Sequence, residues 1–263
     1  MRHPAKRMVW VGMFVMLGVA ACSDSTSPLA GKGQSVSLSF SGVKPPGVSG
    51  AMSVQNVLAD TFKLGVGTDT LRITSVEIVL RKIELRRVTT AVNCDSTADE
   101  SACEEFETGS TLVNLPLVAG TSLGVTVPVD SGTYSKVEFK IHKPGNDSVD
   151  LAFFAANPGF PTNTSIRVMG TFNGVAFTYT TSLDAEQEYT FSPPLVVDAS
   201  GSATNLTIRF DLSTWFRNGA AGPLVNPATA NNGQPNQSLV ENNIKNSIKA
   251  FEDQDHDGNE IDG

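Results

Sequence analysis

The stretch "VEFKIHK", residues 137–143, alternates strictly between apolar and polar side chains. Val137, Phe139 and Ile141 face one side of an extended chain, and the charged residues and the histidine between them face the other. Because successive side chains of a β-strand point in opposite directions, this period of two predicts a strand with one face on a core and one in water.

The same alternation recurs along most of the chain. It is present at residues 36–40 and at residues 205–212, "NLTIRFDL", and strand-like runs recur about every ten residues, as in β-sandwiches. Asn173 and Gly174 separate two such runs, and both residues tolerate a positive φ, so they predict a tight hairpin. We therefore expect an antiparallel β-sandwich over residues 33–217.

The stretch "LRITSVEIVLRKIELRRV", residues 71–88, fits two descriptions. Val76, Val79, Leu80 and Ile83 fit the apolar stripe of a helix, whereas the alternation at both ends fits strands. The β-branched content and the β-rich neighbourhood favour one long strand with a bulge, or two strands.

The chain begins with a basic segment and a short apolar run, which is the layout of a secretory signal peptide over residues 1–21. The sequence Val-Ala-Ala before Cys22 resembles a bacterial lipobox, in which the chain is cut before the cysteine and the thiol is lipidated. The alternative is an ordinary signal peptide followed by a chance cysteine. The polar tether over residues 22–32 favours lipidation, so we expect a lipid-anchored protein of the cell envelope. By resemblance to lipoprotein sorting signals, Ser23 suggests the outer membrane, whereas Asp24 leaves the destination open.

The charge balance narrows the range of partners. The chain has 19 basic and 27 acidic residues, and the signal peptide contains 3 of the basic ones, so 16 remain against 27, a net charge of −11. Nucleic acids need a basic patch, so we expect no nucleic-acid partner. The expected partners are the membrane, through the lipid anchor, and an envelope protein or a glycan.

Cys94 and Cys103 lie in one polar, acidic loop, "NCDSTADESACEEFE". In an oxidising compartment, with no third thiol in the mature fold, they predict a disulfide. Two thiols without nearby histidines do not make a zinc site. The acidic residues of the loop favour a solvated hairpin tip over a cation site.

Three stretches carry a family resemblance. Residues 71–85, 110–120 and 127–141 together resemble an uncharacterised family of exported bacterial lipoproteins, and "GTYSKVEF", with Gly132 before Tyr134, is the most specific part. The resemblance covers roughly residues 35–143, and residues 170–216 with the C-terminal end resemble lipoproteins of the same kind. It implies a prealbumin-like or immunoglobulin-like β-sandwich, and the family has no known activity.

Composition changes after residue 217. Residues 218–237 are rich in Asn, Pro, Ala and Gly, which predicts a linker or a long surface loop. Ser238 and Glu241 then have the spacing of a capping box, and an apolar stripe follows at helical spacing. We therefore expect an amphipathic helix over residues 238–252.

The chain ends with an aspartate-rich segment, residues 253–263. Asp253, Asp255, Asp257 and Gly258 match the first half of an EF-hand calcium loop, but the chain stops before position 12 of that loop. The alternative is a frayed acidic terminus. We expect a weak calcium site, with a Kd of about 10⁻⁴–10⁻³ M. Its predicted ligands are Asp253, Asp255, Asp257, Asn259 through its carbonyl, Glu260 and Asp262.

No motif of a serine hydrolase, a zinc protease or a phosphate-binding loop is present in the sequence. We expect His142 to be solvated on the polar face of its strand, and Trp215 and Phe216 to close the core rather than form a ligand platform. The leading hypothesis is a non-enzymatic structural or binding module. The alternatives are a calcium-assisted adhesin or glycan binder and, with less support, a hydrolase that uses a pair of carboxylates.

Overall fold

The computed structural model describes residues 34–43, 61–88, 109–118, 120, 122–198, 204–253 and 258. All of them belong to one compact unit, and this part of the chain is mainly β with few helices. No helix within it is long and apolar enough to cross a membrane. The strands are β1 Gln34–Ser41, β2 Phe62–Val66, β3 Asp69–Arg87, β4 Thr111–Asn114, β5 Ser122–Val129, β6 Gly132–Ile141, β7 Ile166–Phe172, β8 Val175–Thr181, β9 Ala185–Val197, β10 Thr204–Phe210 and β11 Ile248–Glu252. The helices are α1 Ser148–Ala156, α2 Leu212–Trp215, α3 Gln237–Asn246 and the 3₁₀ turn Pro227–Thr229.

The strands form two sheets. The smaller sheet has the order β11-β10-β1-β5, and the larger has the order β8-β7-β3-β6-β9, with β2 and β4 also paired to β3. Among the described strands every pair is antiparallel except β1 with β10, which run parallel. The expectation of an antiparallel arrangement is therefore wrong for this pair, because alternation of side chains fixes the face of a strand but not its direction.

The ambiguous stretch 71–88 lies almost entirely in β3, a single strand of 19 residues. Its pairing shifts register between Ile73 and Ser75 and again between Arg81 and Glu84, where Lys82 has a φ of +54°. These irregularities let one strand pair with β7 along its first half and with β6 along its second half. The prediction of a long, bulged strand is confirmed, and the helical alternative is wrong.

The predicted hairpin joins β7 to β8. Asn173 and Gly174 have φ angles of +49° and +80°, and Phe172 pairs with Val175 directly across the turn. The Asn173 side chain also holds the neighbouring β3, since its Oδ1 accepts a hydrogen bond from the backbone N–H of Thr70 at 2.8 Å. The hairpin prediction is confirmed.

Buried side chains of both sheets belong to one apolar cluster. Phe139 of β6 contacts Phe210 of β10, with ring centroids 6.4 Å apart. Trp215 and Phe216 are fully buried in this cluster, and the Trp215 indole donates to Ser247 Oγ at 2.8 Å. Their predicted place in the core is confirmed.

Residues 218–237 lie against the large sheet. Leu224 and Val225 are buried in the core, and two asparagine side chains bind the outer edge of β8. Asn231 Oδ1 accepts from the backbone N–H of Thr180 at 2.8 Å, and Asn232 Oδ1 accepts from the N–H of Ser182 at 3.2 Å. This segment is therefore an ordered surface loop.

The predicted helix over residues 238–252 is only partly correct. Helix α3 ends at Asn246, and Ile248–Glu252 instead form β11, which pairs with β10. Ile248 enters the core while Phe251 packs on the opposite face under Arg209, so a spacing of three that fits one face of a helix places the two side chains on opposite faces of a strand. The capping box is also wrong, because the helix begins at Gln237 after Asn236 with no side-chain cap bond.

Candidate functional site

The start of the aspartate-rich segment is fixed to the small sheet. Asp253 follows β11 directly and is 0% exposed. Its Oδ2 accepts hydrogen bonds from Thr207 Oγ1 at 2.7 Å and from the N–H of Gly258 at 3.1 Å. Its backbone N–H donates to the Asn205 carbonyl at 3.1 Å, and its own carbonyl accepts from Asn205 Nδ2 at 2.6 Å. Asp253 therefore extends the pairing of β11 with β10.

Gly258 is bound to Asp253 through its backbone N–H. Its φ is +79°, a conformation that other residues rarely adopt, and its carbonyl accepts from Arg209 Nη1 at 3.2 Å. A β-carbon at this position would lie 3.3 Å from Ser41 Oγ, so Gly258 lies close to β1. For Asp253 and Gly258 the alternative of a frayed terminus is wrong, because both are held by hydrogen bonds to the sheet.

The surface that Asp253 and Gly258 contact is polar and yet shielded from water. It is the outer face of β1 and β10, where Ser39 Oγ donates to Asn205 Oδ1 at 3.0 Å and the Arg209 guanidinium lies 4.9 Å from the Phe251 ring centroid. Buried polar groups require hydrogen-bond partners, and Asp253 and Gly258 supply several of them. The buried polar side chains of this face are Ser39, Ser41, Asn205, Thr207 and Arg209.

Most of the predicted site residues lie outside the part of the chain that the structure describes. These are Cys22, Cys94, Cys103, Asp255, Asp257, Asn259, Glu260 and Asp262. Among the residues described, no group of three or more His, Cys, Asp or Glu side chains is placed to hold a metal ion. Lipidation, the disulfide and calcium binding therefore remain predictions.

A second polar cluster surrounds His142, and here the sequence-based expectation is wrong. His142 is 8% exposed, not solvated, and its Nε2 lies 2.9 and 3.0 Å from the two carboxylate oxygens of Asp150. Asp150 is 1% exposed and also accepts from Ser110 Oγ at 2.5 Å and from the Gly145 N–H at 2.6 Å. The alternation around His142 could not reveal this, because helix α1 folds back over the end of β6.

Arg81 completes this cluster from β3. Its Nη1 lies 2.8 Å from Asp147 Oδ2 and 3.5 Å from Asp150 Oδ1. The hydrogen bond from Arg81 is the main reason that the pKa of Asp147 is lowered. Burial by itself would raise the pKa of Asp150, but the bonds from Gly145, Ser110 and His142 outweigh it and the pKa is lowered. The carboxylate therefore stays ionised.

The His142 cluster has the geometry of a structural network. A serine nucleophile needs its hydroxyl against a general base that is oriented by a third group, which is the order Ser-His-Asp. Here the Ser110 hydroxyl and the His142 imidazole both bind the carboxylate of Asp150, so the acid lies between them. The arrangement holds α1 on the large sheet, beside a small apolar cluster of Val79, Phe153 and Phe160.

Comparison with protein-family models, with curated proteins and with solved structures finds no match for this chain. The likeness to exported lipoproteins therefore rests on the sequence stretches that carry it.

Proposed function

We propose that this chain is a lipid-anchored protein of the bacterial envelope, a non-enzymatic structural or binding module whose C-terminal segment binds calcium. The observation that carries the calcium part is the fixed start of the aspartate-rich segment, where buried Asp253 accepts the N–H of Gly258. The outer-membrane location and the lipid on Cys22 rest on the sequence of the first 32 residues.

The finer fold that we propose is a β-sandwich of the prealbumin-like or immunoglobulin-like kind. Two observations support it. Both sheets contribute to one core, and Tyr134, fully buried near the start of β6, donates its hydroxyl to the Asp130 carbonyl at 2.7 Å. A tyrosine that bonds back to the backbone a few residues upstream, at the start of a strand, is typical of Greek-key sandwiches.

The calcium proposal follows from the register of the loop. In an EF-hand loop, side chains at positions 1, 3 and 5 bind calcium and glycine at position 6 makes the turn. Asp253 stands at position 1 and Gly258 at position 6, and the bond between them brings the two ends of this half-loop together. Asp255 and Asp257 fall between them in sequence, and carboxylates held close together repel one another unless a cation is bound.

The experiment is a calorimetric titration of the mature chain with calcium, accompanied by thermal unfolding followed through Trp215 fluorescence. We expect a Kd of about 10⁻⁴–10⁻³ M. Calcium at about ten times the Kd should add about 1.4 kcal/mol to the free energy of unfolding, because it binds only the folded state. The double variant Asp255→Ala, Asp257→Ala should lose both effects.

Asp255 and Asp257 are changed rather than Asp253 because the buried Asp253 also binds Thr207. Loss of Asp253 would lower the stability of the fold as well as calcium binding, and the two effects could not be separated. The matched control is Glu186→Gln, which removes an exposed carboxylate on β9 and should leave both readouts unchanged. If 10 mM calcium, a concentration above the range of about 10⁻⁴–10⁻³ M, stabilises the wild type no more than it stabilises the double variant, the calcium site is refuted.

The described surface supports the structural module over a glycan binder. Glycan sites use exposed aromatic side chains as stacking platforms. In the part of the chain that the structure describes, every Phe, Tyr and Trp side chain is buried or half-buried. The exposed large apolar side chains there are aliphatic, and Val175, Val196 and Leu151 are the most exposed of them.

A further inference from the structure

The junction between β8 and α3 contains a hydroxyl, a carboxylate and an amide in direct hydrogen-bond contact. Thr181, the last residue of β8, donates its Oγ1–H to Glu241 Oε1 at 2.5 Å. Gln237, the first residue of α3, donates its Nε2–H to the same oxygen at 2.9 Å. The hydroxyl and the amide nitrogen are thus held around one carboxylate oxygen.

Two further contacts define the environment of these groups. The backbone N–H of Gly233 donates to Gln237 Oε1 at 2.6 Å, so a donor already points at the amide oxygen. Thr181 is 0% exposed, and the Leu183 N–H donates to its Oγ1 at 3.2 Å. Within this cluster Thr181 is the only one of the three side chains that belongs to a β-strand, so it and Gln237 come from separate elements of the fold.

We propose that Thr181 and Gln237 form an intramolecular ester crosslink. The Thr181 Oγ attacks the side-chain carbonyl carbon of Gln237, and its proton passes to the Glu241 carboxylate. The bond between that carbon and Nε2 then breaks, Glu241 returns the proton to the departing nitrogen, and ammonia leaves. No oxidant, reductant or other reactant is needed, and Glu241 ends in the state in which it began.

Each group present performs a recognised task in such acyl transfer. A carboxylate in contact with a hydroxyl acts as general base and makes it a nucleophile. The Gly233 N–H lies where it can stabilise the negative charge that develops on the amide oxygen. Thr181 itself is 0% exposed, so its hydroxyl is shielded from water and has Glu241 as its acceptor. The reaction occurs once in the life of each chain, so it does not require the speed of an enzyme.

The crosslink would join the end of β8 in the large sheet to the start of α3. Like a disulfide in an exported protein, it would stabilise the folded state by restricting the conformations of the unfolded chain. This inference is independent of calcium binding and of the lipid anchor, since it involves neither the aspartate-rich segment nor Cys22.

The test is tryptic peptide mapping of the full-length chain after export. The sequence places Thr181 in the peptide 168–209 and Gln237 in the peptide 218–245, with no internal Lys or Arg in either. We expect the two peptides to be joined, and lighter than their combined mass by one ammonia, about 17 Da, because the attack expels the amide nitrogen. Recovery of only the two separate peptides overturns the proposal, whatever the behaviour of the variants.

Variants test the roles proposed for Thr181 and Glu241. Thr181→Val removes the nucleophile at nearly constant volume, and Glu241→Gln removes the base, so both should yield only separate peptides. Thr180→Val is the control, since the Thr180 hydroxyl contacts Asn231 and not Glu241, and it should retain the crosslink. A crosslink that persists in Thr181→Val or in Glu241→Gln overturns the assignment, and Trp215 fluorescence shows that each variant is folded.

Discussion

Asp150 is a charged residue that is almost completely shielded from solvent. Its carboxylate is 1% exposed and accepts hydrogen bonds from Ser110, Gly145 and His142. An ionised group this deeply buried is tolerated only when its oxygens are hydrogen-bonded, and here the partners come from two separate segments of the chain, at Ser110 and at residues 142–145. Asp150 thus connects the start of α1 to the end of β6.

This arrangement predicts a loss of stability in acid. Because the folded-state pKa of Asp150 is lowered, its contribution is fully present above the unfolded pKa of about 4 and is lost as the pH falls through the folded value. Asp150→Asn should cost about 2–3 kcal/mol at pH 7, the scale of hydrogen bonds to a charged group. The measurement is urea denaturation from pH 7 to pH 3.

In that experiment the difference between the wild type and Asp150→Asn should shrink below about pH 4, because the carboxylate is then protonated in the unfolded chain while it is still ionised in the folded one. Glu186→Gln, which changes an exposed carboxylate, provides the reference for ordinary pH dependence. A constant difference across the whole pH range would mean that Asp150 contributes through its shape alone.

At the scale of the element, β3 and β7 approach each other closely at one point. A β-carbon on Gly170 of β7 would lie 2.0 Å from the Arg72 carbonyl oxygen of β3, beside the shift in register between Ile73 and Ser75. The contact is with backbone atoms and not with the tip of a flexible side chain. The bulge in β3 therefore requires glycine on the facing strand.

Gly170→Ala should consequently destabilise the protein by about 3 kcal/mol, at the upper end of the range for overpacking. Gly65→Ala in β2 is the matched control, because the nearest atom to its β-carbon is the Asp69 carbonyl oxygen at 4.0 Å. It should be neutral or stabilise by about 0.5 kcal/mol. Urea midpoints at an unchanged slope measure both, and equal midpoints would contradict the steric argument.

The strands show which secondary-structure elements could be predicted from the sequence. Strict alternation located β6 and β10, and Asn173 with Gly174 located a hairpin, because these signals depend on the local backbone. Ile248 and Phe251, three residues apart, fit one face of a helix, but the segment pairs with the available edge of β10 and becomes a strand. The expectation that His142 is solvated was wrong because tertiary contacts also decide its surroundings: the tertiary fold brings Asp150 against it.

At the scale of the whole molecule, residues 248–253 and Gly258 are part of the fold. Strand β11 completes the small sheet, and Asp253 and Gly258 then cover polar side chains on its outer face. Asp253 was among the predicted calcium ligands, but its bonds to Thr207 and Asn205 could not be predicted. They depend on a strand about 45 residues earlier that becomes a neighbour only after folding.

The proposed lipid anchor also concerns the whole molecule. If Cys22 is lipidated, its acyl chains hold the protein on the membrane, since each buried methylene contributes about 0.8 kcal/mol. Cys22→Ser should move the protein from the membrane fraction to the soluble fraction when the cells are fractionated. Alkylation of the mature protein at Cys94 and Cys103 should be unaffected. Full retention in the membrane fraction would contradict the anchor.

The two asparagines that bind the edge of β8 affect how copies of the protein can associate. An exposed strand edge offers free N–H and C=O groups on which another chain can assemble as an added strand, which is how many proteins begin to aggregate. Asn231 and Asn232 occupy the N–H groups of Thr180 and Ser182 with their own side-chain oxygens. If the chain is tethered to a membrane as proposed, copies meet in two dimensions at high local density, and blocking these N–H groups would keep neighbouring molecules from joining edge to edge.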